Sequence, residues 1–269
     1  MAQLSDSSYA QIKVLLERWT GIQLADHKRR AVANRLLGRL TALDLDSFEQ
    51  YLVHLNEPSS QEEVQIFVDR LTTHETYFFR EQEQFDWLEN YLGCLRQSSR
   101  TFTVWSAACA SGEEVYSLAM LLDDSLGEGG WNVFGTDISM PAIEHARGAL
   151  YRIDRVERIP RHYRLKYCLK GVGQNQGTFT FTEQIKQRCF FSSGSLLDDV
   201  QDSRIQYDVI FLRNILIYFP PIKQKHIINN VLDRLEVGGL LFLGHSENIV
   251  KDHKQLKPVG RCIYERIKL

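Results

Sequence analysis

The sequence predicts an α/β protein: a parallel sheet with crossover helices, preceded by a small all-helical domain and interrupted by a small antiparallel β insertion. Three observations predict it. Residues 1–73 place apolar side chains at helical spacing, with no Val/Ile/Thr-rich alternation. From residue 101, short β-favouring runs alternate with helical patterns, as crossover-linked parallel strands do. Between residues 150 and 188 that alternation stops, and a Gly/Asn turn is flanked by two short strand-like runs. The 269 residues, 43% hydrophobic and 25% charged, suffice for one large domain or two smaller ones. A formal net charge of −2 gives no general affinity for nucleic acid or membrane. The sequence has no signal-like N-terminus and no apolar run long enough to span a bilayer. The cysteines at 94, 109, 168, 189 and 262 form no C-x-x-C pair, so free thiols of a reducing cytoplasm are expected and no metal site is.

In the helical stretch, Ser5 to Ser8 offer caps for a first helix carrying Ile12, Leu15, Leu16 and Trp19, which Gly21 ends. Asp26 opens a second helix with Val32, Leu36, Leu37 and Leu40 on one side and His27, Lys28, Arg29, Arg30, Arg35 and Arg39 elsewhere. That basic face suits an acidic partner. It equally suits a solvated surface, or neutralisation by nearby acids such as Glu17, Asp46 and Glu49. Asp46 with Glu49, and Ser60 with Glu63, read as capping boxes for two further helices. An aromatic linker follows, Tyr77-Phe78-Phe79-Arg80. Its rings read as core, and an Arg set among them is expected to have a carboxylate partner.

The β run Thr101–Trp105 ends in small residues, Ser106 to Gly112, before an apolar helical pattern with Glu113 and Glu114 in its first turn. Such a turn lets a ligand lie against bare backbone and free helix N–H groups. Two carboxylates there oppose a pyrophosphate and suit a cationic, hydroxyl-rich ligand, of which S-adenosylmethionine is one example. The pattern alone fits an ordinary βα turn equally well. A second strand, Trp131–Ile138, carries Asp137 about 25 residues beyond Gly112, close to the offset of about 20 at which dinucleotide folds place a ribose-binding acid. Asp137 could instead cap the next helix, a task open to Ser139 as well. Tyr207–Leu212 reads as a strand buried on both faces and ends in Arg213 and Asn214, where open α/β sheets place ligands. Pro220 and Pro221 start a helix to about Leu235, which Gly238 and Gly239 are expected to end; strands at Leu240–Gly244 and Cys262–Ile267 close the sheet.

Five segments then converge: Thr76-x-Phe78-Phe79-Arg80, Trp105-Ser106-Ala107-x-x-x-x-Gly112-Glu113-Glu114-x-Tyr116-Ser117, Gly135-Thr136-Asp137-Ile138, Arg213-Asn214-x-Leu216-Ile217-Tyr218-Phe219 and Gly239-x-Leu241-x-x-Gly244-His245-Ser246-Glu247. In this order they resemble the CheR-type chemotaxis receptor methyltransferases. The resemblance implies a Rossmann-like methyltransferase sheet at 101–269 with a β subdomain near 165–188, a linker at 74–100 and a helical domain at 1–73. It implies methyl transfer from S-adenosyl-L-methionine, giving S-adenosyl-L-homocysteine, to glutamate side chains on the cytoplasmic methylation helices of chemoreceptors. Carried over by motif, His74, Thr76, Arg80, Glu113, Glu114, Asp137, Ser195, Leu196, Arg213 and Asn214 would bind the cofactor. The family often has Asn at the positions of His74 and Ser195. Arg80 and Tyr218 would sit near the transferred methyl, and Arg29, Arg30, Arg35 and Arg39 would dock the receptor. The β hairpin corresponds to the part that grips a receptor's C-terminal peptide tether in some members. A cytoplasmic enzyme recruited to receptor arrays is the expectation. Its rivals are a cofactor-sensing adaptor and a methyltransferase for small molecules.

Overall fold

The computed structural model describes residues 2–95, 100–198, 205–247, 250 and 253–268; residues 96–99, at the end of the expected linker, lie outside these. The chain divides into two compact units, one of residues 1–73 with Tyr218–Lys223, the other of His74–Ile217 with Gln224–Leu269. Among the described residues no helix is long and apolar enough to cross a membrane.

The first unit contains α1 (Asp6–Thr20), α2 (Arg29–Ala42), α3 (Phe48–Leu55) and α4 (Gln61–Leu71). Ser5 caps α1 by accepting from the Ser8 amide, and Gly21 ends it in the left-handed conformation at φ 79°. Asp26 opens a short 3-10 turn rather than α2 itself. The first expected capping box is shifted by one residue. Ser47 accepts from the Gln50 amide and the Gln50 side chain accepts from the Asp46 amide, so Asp46 and Glu49 are not the pair. The second is absent: Ser60 makes no side-chain cap, and Glu63 turns inward to Arg39 and Tyr51. Leu16, Leu36, Phe48, Tyr51 and Phe67 are fully buried in this unit.

The second unit begins with α5 (Gln82–Cys94), then runs β1 (Phe102–Ala107), α6 (Glu113–Leu126), β2 (Trp131–Asp137), α7 (Met140–Gly148), β3 (Tyr151–Arg152), α8 (Arg161–Tyr167), β4 (Cys168–Lys170), β5 (Thr178–Phe181), α9 (Glu183–Lys186), β6 (Cys189–Ser193), β7 (Tyr207–Leu212), α10 (Pro221–Asp233, opening within the first unit's segment), β8 (Leu235–Leu243), β9 (Leu256–Gly260) and β10 (Ile263–Arg266). Its large sheet has the order β6-β2-β1-β7-β8-β10-β9. Strands β6, β2, β1, β7 and β8 are parallel to their neighbours, and β10 is antiparallel to both β8 and β9. The chain winds outward from β1 to β2 and β6, then resumes at β7 on the other side of β1. The carboxyl ends of β1 and β7 therefore form the switch point at which open sheets of this kind bind ligands.

In the sheets of the second unit two features depart from the sequence expectation. Gly238 and Gly239 end no helix; they lie inside β8, where the register with β7 jumps from Tyr207–Leu235 to Val209–Leu240. A Cβ on Gly239 would come within 2.9 Å of the Asp208 carbonyl, and Gly238 has φ 87°, so the pair makes the bulge possible. The insertion is also larger than a hairpin. β5 pairs with β4 on one side and with β3 on the other, and Phe179 and Phe181 bury against Phe78 of the linker. The linker rings Phe78 and Phe79 are thus core, while Tyr77 is 38% exposed.

Candidate functional site

At the switch point β1 ends in Ala107, and the chain turns through Ala108, Cys109, Ala110 and Ser111 before α6 begins. Ala108 at φ 68°, Ala110 at φ 47° and Gly112 at φ 92° are all left-handed. Small side chains are what such a backbone tolerates. Gly112 also has no room for more: a Cβ would meet the Cβ of Ala146 at 2.8 Å. Burial pushes the Cys109 thiol well above its ordinary pKa, aided by Asp137 and Glu114, so it stays protonated and inert.

Asp137, at the end of β2, is 6% exposed. It accepts from the amide of Ala110 at 2.8 Å and from that of Ser139 at 3.0 Å, and His74 Nδ1 stands 3.9 Å from it. Ser139, not Asp137, caps α7 through the Ala142 amide. The carboxylate is therefore anchored to the small-residue turn on one side, with lone pairs left over for hydroxyl donors.

The two first-turn glutamates of α6 face different partners. Glu113 is fully buried and takes Arg155 and the Ser111 hydroxyl. Glu114 accepts from Ser106 Oγ at 2.7 Å and holds the Arg213 guanidinium at 2.8 Å. Arg213 is enclosed, its side chain only 2% exposed. It donates to the Arg80 carbonyl at 2.8 Å and to Gln84 Oε1 at 2.9 Å, and lies over the rings of Phe85 and Phe211. Its guanidinium binds protein groups throughout. Asn214, left-handed at φ 57°, donates its side-chain amide to Glu81. Glu247 accepts from four backbone amides, those of Asn214, Ile215, Leu216 and Gly244, and so ties the ends of β7 and β8 together. Burial raises its pKa, against the opposing effect of those four N–H groups.

Arg80 contradicts the expectation of a carboxylate partner. It donates to the Glu75 carbonyl at 2.9 Å and lies 5.8 Å from the Tyr77 ring centre, and no acidic side chain pairs with it among the described residues. The buried arginine with a carboxylate is Arg213. Phe79 and Glu81, on either side of Arg80, are left-handed at φ 54° and 59°, and the Phe79 amide donates to Ser117 of α6 at 3.0 Å. Non-glycine residues in that region cost about 1–3 kcal/mol each and concentrate at functional sites. Thr76 is half-buried in the same linker. Beyond β6, Ser195 Oγ accepts from the Leu197 amide and the Leu196 carbonyl accepts from Asn230. His74, Arg80, Glu113, Glu114, Asp137, Arg213 and Asn214 thus interlock through shared neighbours, whereas Ser195 and Leu196 join none of these contacts among the described residues. Tyr218 belongs to the first unit, where its carbonyl accepts from the Gln23 amide.

Sequence reading missed Glu81, Gln84, Arg155 and Glu247 as members of this network, because polar residues in helices and loops carry no signal of burial. The one available cue was the pair of unlike charges, Glu114 and Arg213, both flanking apolar strand or helix patterns.

On the basic helix, Arg29 binds Asp6 and the Leu4 carbonyl, and Arg39 forks onto Glu63 at 3.0 and 2.6 Å. Arg35 caps the end of α4 through the carbonyls of Arg70, Leu71 and Thr72. Arg30 is exposed and makes no such contact among the described residues.

The donor set of the second unit fits a sulfonium cofactor: anchored carboxylates and bare backbone surround the switch point. The comparisons agree. The family described as CheR methyltransferase, SAM binding domain, matches residues 74–264, and the CheR methyltransferase all-alpha domain matches residues 7–72. A chemotaxis protein methyltransferase of Salmonella typhimurium is 37% identical over 97% of this chain and 90% of its own. Its counterpart in Escherichia coli is 36% identical over 97% and 91%, and the chemotaxis protein methyltransferase 2 of Pseudomonas aeruginosa is 36% identical over 95% and 91%. The chain therefore belongs to the CheR methyltransferase family, shared with these chemotaxis enzymes, and its cofactor is S-adenosylmethionine.

Proposed function

We propose that this chain is a protein-glutamate O-methyltransferase that esterifies glutamate side chains on the methylation helices of chemotaxis receptors. The names of its relatives support the chemotactic role. The observation that carries the acceptor class is Arg80: a cation without a carboxylate partner among the described residues, held between two left-handed residues on a linker bonded to α6. Such a cation is a receptor for an anionic side chain.

Bound S-adenosylmethionine supplies an electrophilic methyl group and leaves as neutral S-adenosylhomocysteine. Asp137, fixed by two amides, serves the ribose hydroxyls, with His74 3.9 Å from it; Thr76, Ser195, Leu196 and Asn214 are assigned to the rest of the cofactor. Glu113 and Glu114, paired with Arg155 and Arg213, shape the α6 end of the cofactor site rather than adding free negative charge to it. Arg213 serves indirectly, by locking the Arg80 carbonyl to α6. A glutamate acceptor has a reference pKa of about 4.3 and is already ionised at neutral pH, so no general base is assigned. Arg80 orients that carboxylate. Alignment and exclusion of water then carry the catalysis. On α2, Arg30 is the cation available to an acidic receptor surface. At the small sheet, β4 is an edge strand with Leu169 half-exposed, where a receptor's C-terminal peptide would add a strand.

The test is incubation with methyl-labelled cofactor and receptor-bearing membranes. Label on receptor glutamates that is released by mild alkali is the expected result. A protein that binds the cofactor yet labels only small molecules, or nothing, overturns the reading.

A further inference from the structure

The stretch from Arg152 to Lys170 carries seven lysines and arginines against two acids, Asp154 and Glu157. Three of these cations are matched by carboxylates. Arg152 pairs with Asp154, Arg155 with Glu113, and Lys166 with Asp124. Arg158 and Arg161 are exposed and have no carboxylate partner among the described residues; Glu157 is exposed and pairs with neither. Arg158 is nevertheless held in place. Its guanidinium lies 5.1 Å from the centre of the Tyr77 ring, the same half-exposed ring that Arg80 approaches to 5.8 Å. Two cations on one aromatic ring repel each other, and an anion is what relieves them. The two ring distances laid end to end put the guanidinia no more than about 11 Å apart.

We propose that Arg158, held by Tyr77, docks a second carboxylate of the acceptor, one to two helical turns from the glutamate that Arg80 receives. This rests on the acceptor assignment above and sharpens it. Side chains at i and i+4 of a helix are about 6 Å apart along the axis and those at i and i+7 about 10.5 Å, so both spacings fall within the limit set by Tyr77. The site would then favour glutamates with an acidic neighbour at such a spacing. Tyr77, the open position of the Thr76-x-Phe78-Phe79-Arg80 segment, becomes the spacer between the two cations.

The experiment uses the full chain and a receptor cytoplasmic fragment carrying its methylation helices. A second fragment has the acids one and two turns from the acceptor changed to Gln. Arg158→Glu is expected to raise the KM for the acidic fragment about fivefold, with the loss falling on KM rather than kcat and growing weaker at high salt. On the neutralised fragment the same variant should cost little more. Cofactor affinity by calorimetry should stay within twofold of native. Equal KM for native protein and variant on the acidic fragment overturns the proposal, as does an equal penalty on both fragments or a shift in cofactor affinity. Anisotropy of the labelled fragments reads docking without turnover. Absent methyl transfer by the native protein would therefore refute the proposed function, while Arg158 would still be judged by binding.

Discussion

Arg80 and Arg213 lie 133 residues apart and meet through one carbonyl, yet the fold uses them in opposite ways. Arg213 has its charge answered by Glu114 and its faces covered by Phe85 and Phe211. It is a strut. Arg80 has no carboxylate partner among the described residues and sits between two left-handed residues, an arrangement consistent with the proposed anion receptor. Replacing Arg80 by Ala should lower kcat on a receptor substrate by about a hundredfold, the scale of losing an aligned contact at the reacting group. Retention of full turnover would remove Arg80 from the chemistry. Arg213→Lys should act differently. An ammonium cannot fork between Glu114, Gln84 and the Arg80 carbonyl, so a buried partner is left unmet at about 1–3 kcal/mol. Thermal unfolding should show that loss, and turnover should fall with it because the Arg80 main chain loses its anchor. A variant of native stability and activity would show that the network is dispensable.

At the scale of elements, α2 is drawn in two directions. Its basic face is the surface the resemblance assigns to receptor docking, yet Arg29, Arg35 and Arg39 each bind within the helical unit. Arg39 matters most, since Glu63 is 6% exposed and also accepts from Tyr51 at 2.7 Å. Burial alone would raise the Glu63 pKa, but the Arg39 and Tyr51 hydrogen bonds outweigh it and hold the group below its ordinary value. A depressed carboxylate contributes stability above its unfolded pKa of about 4.3, and that contribution is lost as pH falls through the lower folded value. Glu63→Gln should therefore destabilise the first unit by about 3 kcal/mol at neutral pH, through the uncompensated Arg39 charge. The variant's deficit should shrink on acidification below about pH 4.3. A deficit independent of pH would mean that packing, not the ion pair, carries the effect. Charge reversal used to probe docking must avoid this pair. Arg30→Glu should weaken receptor binding while leaving the unfolding temperature unchanged, whereas Arg39→Glu should disturb both.

Across the whole molecule, what the sequence made legible was whatever periodicity and turn chemistry encode. The parallel alternation from β1 onward, the buried β7, the left-handed Gly21 and the aromatic linker core were all readable in this way. The third strand of the small sheet was not, because Tyr151–Arg152 is two residues long and has no period of its own. The glycine pair at 238–239 looked like a helix stop, since a bulge and a C-cap ask for the same residue and only the β7 register distinguishes them. Of the candidate site, the small-residue turn and Asp137 at a strand end were legible as local patterns. The Arg213 network was not, being closed by residues from four separate segments. This division has a measurable consequence. Every residue assigned here to the cofactor lies in the second unit, while none lies in the helices of the first. Ligand at a hundred times its Kd stabilises the unit that binds it by about 2.7 kcal/mol, which raises the unfolding temperature of a unit this size by about 5–10 °C. S-adenosylhomocysteine should therefore slow amide exchange in β1, β2, β7 and α6 and raise their unfolding transition. Exchange in α1, α3 and α4 should keep its native rate. Asp137→Ala should abolish the shift at the same ligand concentration, since the ribose loses its acceptor and the turn loses its tether to Ala110. Equal protection of both units, or a shift that survives Asp137→Ala, would place the cofactor elsewhere than at the ends of β1 and β2.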